Sequence, residues 1–384
     1  METAVHFGAG AIGRGLLGDL LHESGYEIVF VDTMQKLIDQ INASHTYELI
    51  EMELDNHRKK IDHVSALHSI EESDKVVDVI AKAVILTTSV RVENLKRIAP
   101  VIGRGLVKRM ELSNTPINIL AFENAYRASD TLRDEILKCT PQLTPETIGK
   151  AACFANTITD RVVMNIEENG KSVIQVGDTF EAAIEQNMLY DPASRPIKDG
   201  SYTGNINLAL DRKLFIVNGG HCACGYLGNL RGYTIMMDGF KDPEVYKEVR
   251  DQMCEVGHML SKKHSIEYQE LAEYIEFALD RYLSSKNTDY VVRVCRNPIR
   301  KLSPNDRLAG PAIQAAALGM PFGNIARAIA AALIFDAEED AESQQIQAYI
   351  REHGIEAAIP HYTTIQKGTE LFETILKHYQ SFKK

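Results

Sequence analysis

Near the start of the chain, the sequence GAGAIG places Gly8, Gly10 and Gly13 between two segments of different periodicity. The preceding run TAVHFG (3–8) is rich in β-formers. The following run AIGRGLLGDLLHESG carries leucines at helical spacing and stops at Gly25. A second strand-like run, EIVFVD (27–32), comes next. The order strand, glycine motif, helix, strand constrains the fold more than any other feature of the chain. In it, Gly8 permits a tight turn, Gly10 leaves room for a diphosphate near the backbone, and Gly13 lets helix and strand approach closely. The free N–H groups and the positive end of the helix dipole then hold the diphosphate. Asp32 closes the second strand at about the 20-residue spacing where a carboxylate accepts from a ribose hydroxyl. It would repel a 2′-phosphate, so NAD is expected rather than NADP. Gly8, Gly10, Ile12, Gly13, Asp32 and Thr88 are the cofactor-binding candidates on this reading.

The alternation continues. MQKLIDQINASH and VENLKRIAPVIGRGLVKRM read as helices, and AVILTTS (83–89), INILAF (117–122) and ACFAN (152–156) as buried parallel strands. This predicts a doubly wound α/β sheet of the Rossmann type. After about Asp191 the pattern changes to long helical stretches, with VVRVC (291–295) as the one strand-like run. A chain of 384 residues is long enough for two cores. The expected organisation is a dinucleotide-binding domain over residues 1–190 and a mainly α-helical substrate domain over residues 191–384.

The formal net charge of −11 disfavours nucleic acid and anionic membranes as partners. The longest apolar run, IARAIAAALIF, contains Arg327 and is too short to span a bilayer. The N-terminus lacks the pattern of a signal peptide. Six cysteines at irregular spacing read as reduced thiols, which suits a cytoplasmic protein, monomeric or homodimeric.

The segment KLFIVNGGHCACG (213–225) brings together a lysine, an asparagine, a histidine and two cysteines. On a helix Cys222 and Cys224 face nearly opposite ways, and His221 with Cys224 supplies only two ligands, so no metal is expected. The spacing is not Cys-x-x-Cys, and both cysteines read as small residues of a packed helix. Alcohol oxidation needs a base, which a desolvated lysine can provide, and fixed donors for the developing oxyanion, which an amide can provide. On one ideal helix Lys213, His221 and Asn218 project at about 0°, 80° and 140°, within one half of the cylinder. Gly219 and Gly220 either loosen that geometry or make room for substrate. On these residues alone, an exposed lysine and a capping asparagine remain an equal reading.

KLFIVNGGH resembles the Lys-x4-Asn-x2-His motif of the polyol-specific long-chain dehydrogenases, the mannitol dehydrogenase family. ANTITDRVV (155–163) is similar to that family's Asn-Ser-x-Val-Asp-Arg-Ile segment. HFGAGAIGRGLLG and PIRKLSPNDRLAGP look closest to its mannitol-1-phosphate 5-dehydrogenase branch, and the similarity covers nearly the whole chain. The resemblance implies a Rossmann domain followed by a helical one. It implies Lys213 as a metal-independent general base, Asn218 and Asn156 holding the reacting oxygen, and His221 positioning substrate. Asn124 in FENAY would lie near the nicotinamide, and Asp160 and Arg161 would be structural. The implied reaction is D-mannitol 1-phosphate with NAD giving D-fructose 6-phosphate and NADH. The chain departs from the pattern at Thr159, Met164 and Gly219, in FENAY, and at Arg91-Val92, where the phosphate-type enzymes usually have Gly-Pro. None of these removes a proton-transfer group, so reaction type is better fixed than substrate.

In VRVCRNPIRKLSPNDRL, Arg293, Arg296, Arg300, Lys301 and Arg307 face a single acid, Asp306. Arginine forks pair with phosphate oxygens, which makes these five the candidates for a substrate phosphate. A solvated surface, salt bridges to the other domain, or the diphosphate of NAD would also account for them. The alternatives to a polyol-phosphate dehydrogenase are an unphosphorylated-polyol dehydrogenase or hexuronate reductase of the same family, a metal-dependent polyol dehydrogenase, and an NAD-sensing protein without catalysis.

Overall fold

The computed structural model describes residues 1–52, 57–112, 115–168, 171–284 and 289–383. The chain divides into two compact units, Met1–Ile206 and Asn207–Lys384. The strands of the first unit are β1 (Thr3–Phe7), β2 (Glu27–Asp32), β3 (Tyr47–Glu51), β4 (His57–Ile61), β5 (Val64–His68), β6 (Ile85–Thr88), β7 (Ile117–Ala121), β8 (Ala152–Phe154), β9 (Thr157–Glu168), β10 (Lys171–Glu185) and β11 (Ser201–Thr203). Six of them form one sheet in the order β5-β2-β1-β6-β7-β8. Every neighbouring pair in it is parallel. Numbered within this sheet alone the order is 3-2-1-4-5-6, the doubly wound dinucleotide-binding arrangement, and it reverses between β1 and β6. The apolar runs form strands buried on both faces, as parallel sheets require. His6 sits fully buried in β1. It ties β1 to the end of β6 through Thr87 Oγ1 at 2.7 Å and Ser89 Oγ at 2.9 Å. Burial pulls its imidazole down to about 3, so it is neutral.

A second sheet, β11-β10-β3-β4 with β9 antiparallel to β10, was not expected. Its strands are short or carry charged side chains, as in HRKKI of β4, so none stands out as an apolar run. The sheet reaches the helical segment behind the glycine motif through two more glycines. A Cβ on Gly15 would lie 2.6 Å from Val163 and 2.8 Å from Ile174, and one on Gly18 would lie 2.0 Å from the Tyr47 hydroxyl.

That helical segment is not the regular α-helix that leucine spacing predicts. It runs as a π-helix over Gly13–Gly18 and becomes α-helical over Asp19–Glu23. A π turn bonds i to i+5 and disturbs the carbonyl ladder. Side chains of the second sheet make up the difference. The Tyr47 hydroxyl donates to the Arg14 carbonyl at 2.8 Å, and Arg161 Nη1 donates to the Gly15 carbonyl at 2.8 Å and to Asp19 at 2.6 Å. Arg161, on β9, therefore acts structurally, bracing the helix that follows the glycine turn.

The second unit is helical. Its central helix, Asn218–Leu230, is buried along Cys222, Ala223, Cys224, Tyr226 and Leu227. It packs closely where side chains are absent. A Cβ on Gly220 would lie 2.6 Å from Met253 Sδ of helix Pro243–His264, and one on Gly225 would lie 3.0 Å from Cys295 Sγ. Pro243–His264 starts on Asp242, whose carboxylate accepts from the N–H groups of Glu244 and Val245, with proline in the first turn. VVRVC is a helix, Val291–Cys295, and not a strand. Val291 and Cys295 are buried one turn apart while Val292 is 48% exposed, so the burial follows helical spacing and not alternation. Among the described residues, no helix is long and apolar enough to cross a membrane.

A Cβ on Gly13 would lie 1.7 Å from the Gly8 carbonyl oxygen, whereas one on Gly10 would meet nothing within 4 Å. Gly13→Ala is expected to destabilise the protein by about 1–3 kcal/mol, the usual cost of overpacking, and Gly10→Ala to leave the melting temperature of the first unit's transition unchanged. Calorimetric scans of the two variants check this.

Candidate active site

In the first unit the glycine loop fits a bound diphosphate. Gly8 has φ +103°, and a Cβ there would lie 2.7 Å from the Ser89 carbonyl oxygen. Gly10 faces open space, ahead of the π-helix. Asp32 orders this loop from the end of β2. Its Oδ2 accepts from Ala9 N at 2.7 Å, and its Oδ1 accepts from Thr33 N and Met34 N at 2.7 and 3.0 Å. Carboxylate oxygens carry further lone pairs for a ribose hydroxyl. Ile12, in the first turn, packs its partly buried side chain against the core beneath the loop.

Two other predicted residues are engaged inside the protein. The Thr88 hydroxyl is buried and donates to Glu123 Oε1 at 2.6 Å. Asn156 is 1% exposed, and both its amide hydrogens are taken, by Glu185 Oε2 at 2.8 Å and Asp130 Oδ2 at 3.2 Å. Its oxygen accepts from Asp130 N at 3.3 Å. Asn124 is exposed on the turn that follows β7 and Glu123.

In the second unit Lys213 lies, half-buried, in another π-helix, Arg212–Val217. The N–H of Asn218 closes that turn on the Lys213 carbonyl, a span of five residues. The angles drawn on an ideal α-helix therefore do not apply across Lys213 and Asn218. The turn is held at both ends. Asp211, 2% exposed, accepts from Lys263 Nζ at 2.7 Å and pairs with His264 Nε2 at 2.8 Å, and the Tyr282 hydroxyl donates to the Val217 carbonyl.

Asn218, His221 and Cys222 line a cavity of about 380 Å³ together with Arg293, Val294, Arg296, Asn297, Arg300, Lys301 and Arg307. All five predicted basic residues thus share one cavity with the amide and the imidazole. Lys213 is not among the residues that line it. His221 stacks beside Phe240 and Tyr282, with Nε2 3.9 Å from Asp289 Oδ2. Burial lowers its pKa to about 4, against an opposing pull from Asp289.

The five cations differ in how they are occupied. Arg293 forms a two-pronged pair with Asp289. Arg307 Nε donates to Asp306 at 2.7 Å, while Arg300 Nε stands 4.0 Å from the other oxygen of that carboxylate. Lys301 is buried and donates to the carbonyls of Val294 and Arg296, and burial lowers its pKa. Arg296 is exposed and, among the described residues, forms no ion pair. The positive charge is least compensated at Arg296, and next at Arg300, whose contact with Asp306 is long and shared with Arg307.

Gly219 and Gly220 serve close packing and not substrate room. A Cβ on Gly219 would lie 3.2 Å from the Arg307 carbonyl oxygen, and that approach brings Arg307 to the cavity. Cys222, Cys224 and Cys295 are buried thiols with pKa values raised by burial. Among the described residues, no group of three or more histidine, cysteine and acidic side chains is placed to hold a metal ion.

Sequence reasoning passed over Glu123, Asp211 and Asp289. Glu123 carried a signal, a carboxylate directly behind a buried apolar strand. Asp289 lies four residues before Arg293, just ahead of the helix Val291–Cys295, and pairs back onto it.

The chain matches the model of the mannitol dehydrogenase Rossmann domain over residues 2–194 and that of the mannitol dehydrogenase C-terminal domain over residues 206–383. It is 35% identical over 385 residues to the mannitol-1-phosphate 5-dehydrogenase of Caldanaerobacter subterraneus subsp. tengcongensis, covering 100% of this chain and 99% of that one. It is 37% identical over 385 residues to the protein of the same name from Emericella nidulans, covering 99% and 98%. Its fold is similar to that of Pseudomonas fluorescens mannitol 2-dehydrogenase, solved with NAD and D-mannitol, with a TM-score of 0.73 and 16% identity over 100% of this chain and 92% of that one.

A histidine held at about 4 when folded, against about 6.5 when unfolded, is neutral above pH 5.5 in the native protein. Below pH 6.5 the unfolded chain takes up its proton first, so this residue's contribution to stability falls as the pH drops from 6.5 toward 4. The His221 ring resonances are expected to stay constant between about pH 5.5 and 8.5 in an NMR titration, and a midpoint near 6.5 contradicts the lowered pKa of this partly buried ring.

Proposed function

Because the chain belongs to the mannitol dehydrogenase family, we propose that it catalyses the NAD-linked interconversion of D-mannitol 1-phosphate and D-fructose 6-phosphate. One observation carries the reading at this chain's own residues. The cavity that holds Asn218 and His221 is also where the arginine cluster stands. An amide that can donate to an alcohol oxygen thus shares about 380 Å³ with cations suited to a phosphate. The activity of the relatives supports the same substrate.

The residue roles follow from the family motif and from the groups that line the cavity. Lys213, the lysine of the family motif, takes the hydroxyl proton, acting as general base from its neutral form. Asn218, joined to Lys213 by the bond that closes the π turn, donates to the reacting oxygen as it becomes the ketone. His221, neutral at physiological pH, orients the substrate by hydrogen bonding and adds no charge. Arg296 and Arg300 hold the phosphate, while Arg293 and Arg307 are spent on Asp289 and Asp306, and Lys301 supports the cavity wall. Asn156, the other amide that the resemblance gives to the reacting oxygen, has its donors on Glu185 and Asp130. Gly8, Gly10, Gly13 and Asp32 hold NAD, with Ile12 and Thr88 shaping the loop and Asn124 on the nicotinamide side. Bound NAD supplies the hydride acceptor. The buried thiols suit a reducing compartment, the cytoplasm.

With D-mannitol 1-phosphate as substrate, Lys213→Ala is expected to lower kcat by about 10²–10⁴-fold, the usual worth of a general base, in a protein that keeps its melting temperature. Near-normal turnover by that variant overturns the reading. Arg296→Ala and Arg300→Ala are each expected to raise the KM for the sugar phosphate by about tenfold, equivalent to about 1.4 kcal/mol, and to leave the KM for NAD unchanged. Steady-state kinetics of NAD reduction gives all three results.

A further inference from the structure

We propose that Arg91 binds the diphosphate of the dinucleotide, adding a cationic contact to those made by the glycine loop. The inference rests on the NAD reading above. Arg91 has φ +73° and ψ 140°, a backbone conformation that side chains rarely adopt and glycine takes without cost. Its surroundings impose that conformation. Glu123, 5% exposed, accepts from Val90 N at 2.9 Å and from Arg91 N at 2.8 Å. The Asn94 side chain donates to the Val90 carbonyl at 2.8 Å and holds the same loop from the other side.

Every one of these bonds to residues 90 and 91 is made by backbone atoms. A glycine at 91 would keep them and relieve the strain. The folding of the loop therefore gives no reason for an arginine. Nor do its neighbours. The residue is exposed, and among the described residues its guanidinium forms no hydrogen bond or ion pair.

Its place in the fold supplies the reason. Arg91 follows β6, and β6 and β1 are the two strands between which the sheet order reverses, where dinucleotides cross the strand ends. The same loop lies against the glycine turn. A Cβ on Gly8 would be 2.7 Å from the Ser89 carbonyl oxygen and 3.2 Å from Val90 Cγ1. The open space in front of Gly10 is thus flanked by a loop that ends in an unpaired, always charged fork, whose geometry matches phosphate oxygens.

The test is fluorescence titration of NADH, with ADP-ribose as a competing probe that lacks nicotinamide, on the full chain and on R91G, R91M and R91K. R91G and R91M are expected to bind both probes about tenfold more weakly than wild type, and R91K to stay within about threefold, because it keeps the charge. The salt dependence of NADH affinity seen in wild type is expected to flatten in R91G and R91M. R91M retains the strained backbone and the length of the side chain, so it reads the charge even where R91G folds poorly. Affinity of R91M within about twofold of wild type overturns the proposal, as does equal weakening of R91K and R91M. Failure of the wild-type chain to bind NADH overturns the NAD reading itself, a result distinct from either.

Discussion

The carbonyl of Lys213 accepts the N–H of Asn218 across a π turn, and the arrangement of the second unit's polar groups depends on that bond. An α-helical turn there would carry one residue fewer per hydrogen bond, and the lysine would point to a different side of the helix from its present one. The turn is costly to keep, because its carbonyl ladder is interrupted, and the surrounding helices compensate. Asp211 anchors its start to Lys263 and His264, and the Tyr282 hydroxyl takes up the carbonyl of Val217 at its end. From that fixed point the helix runs on so that Asn218 and His221 reach the same cavity one turn apart, while Gly220 seats the helix on Met253.

The first unit uses the same device. Its glycine motif runs into a π-helix whose carbonyls are taken up by Tyr47 and Arg161, contributed by the second sheet. The glycines divide the work. Gly8 and Gly13 allow the turn itself, and Gly15 and Gly18 admit the sheet that braces it. Charge is treated locally as well. A chain of net charge −11 gathers five cations around one cavity and pairs Arg293 and Arg307 closely with Asp289 and Asp306, with Arg300 4.0 Å from Asp306 and Arg296 in no ion pair among the described residues.

The parts of this design that rest on local periodicity could be read from the sequence. The buried parallel strands and the glycine turn are encoded within short windows, and so is the excess of arginine between residues 293 and 307. What was missed depends on distant partners. β3 pairs with β10 across more than a hundred residues of chain, and neither strand is apolar enough to stand out alone. Thr88 lies on the strand expected of it, while Asn156 lies just past the end of β8 in the link to β9, and the carboxylates that meet them, Glu123, Asp130 and Glu185, come from elsewhere in the chain. The π turns were invisible because helical spacing was read with a fixed period. The strand-like look of VVRVC hid the helix onto which Asp289 pairs with Arg293, and with it the difference in compensation among the arginines.

The central claim is that one cavity serves both the alcohol oxygen and an anion. The measurement that tests it most directly is the ratio of kcat/KM for D-mannitol 1-phosphate to that for D-mannitol, with NAD at fixed ionic strength. Two charge-assisted contacts predict a ratio of about a hundred or more in favour of the phosphate. Equal values for the two substrates would contradict the account.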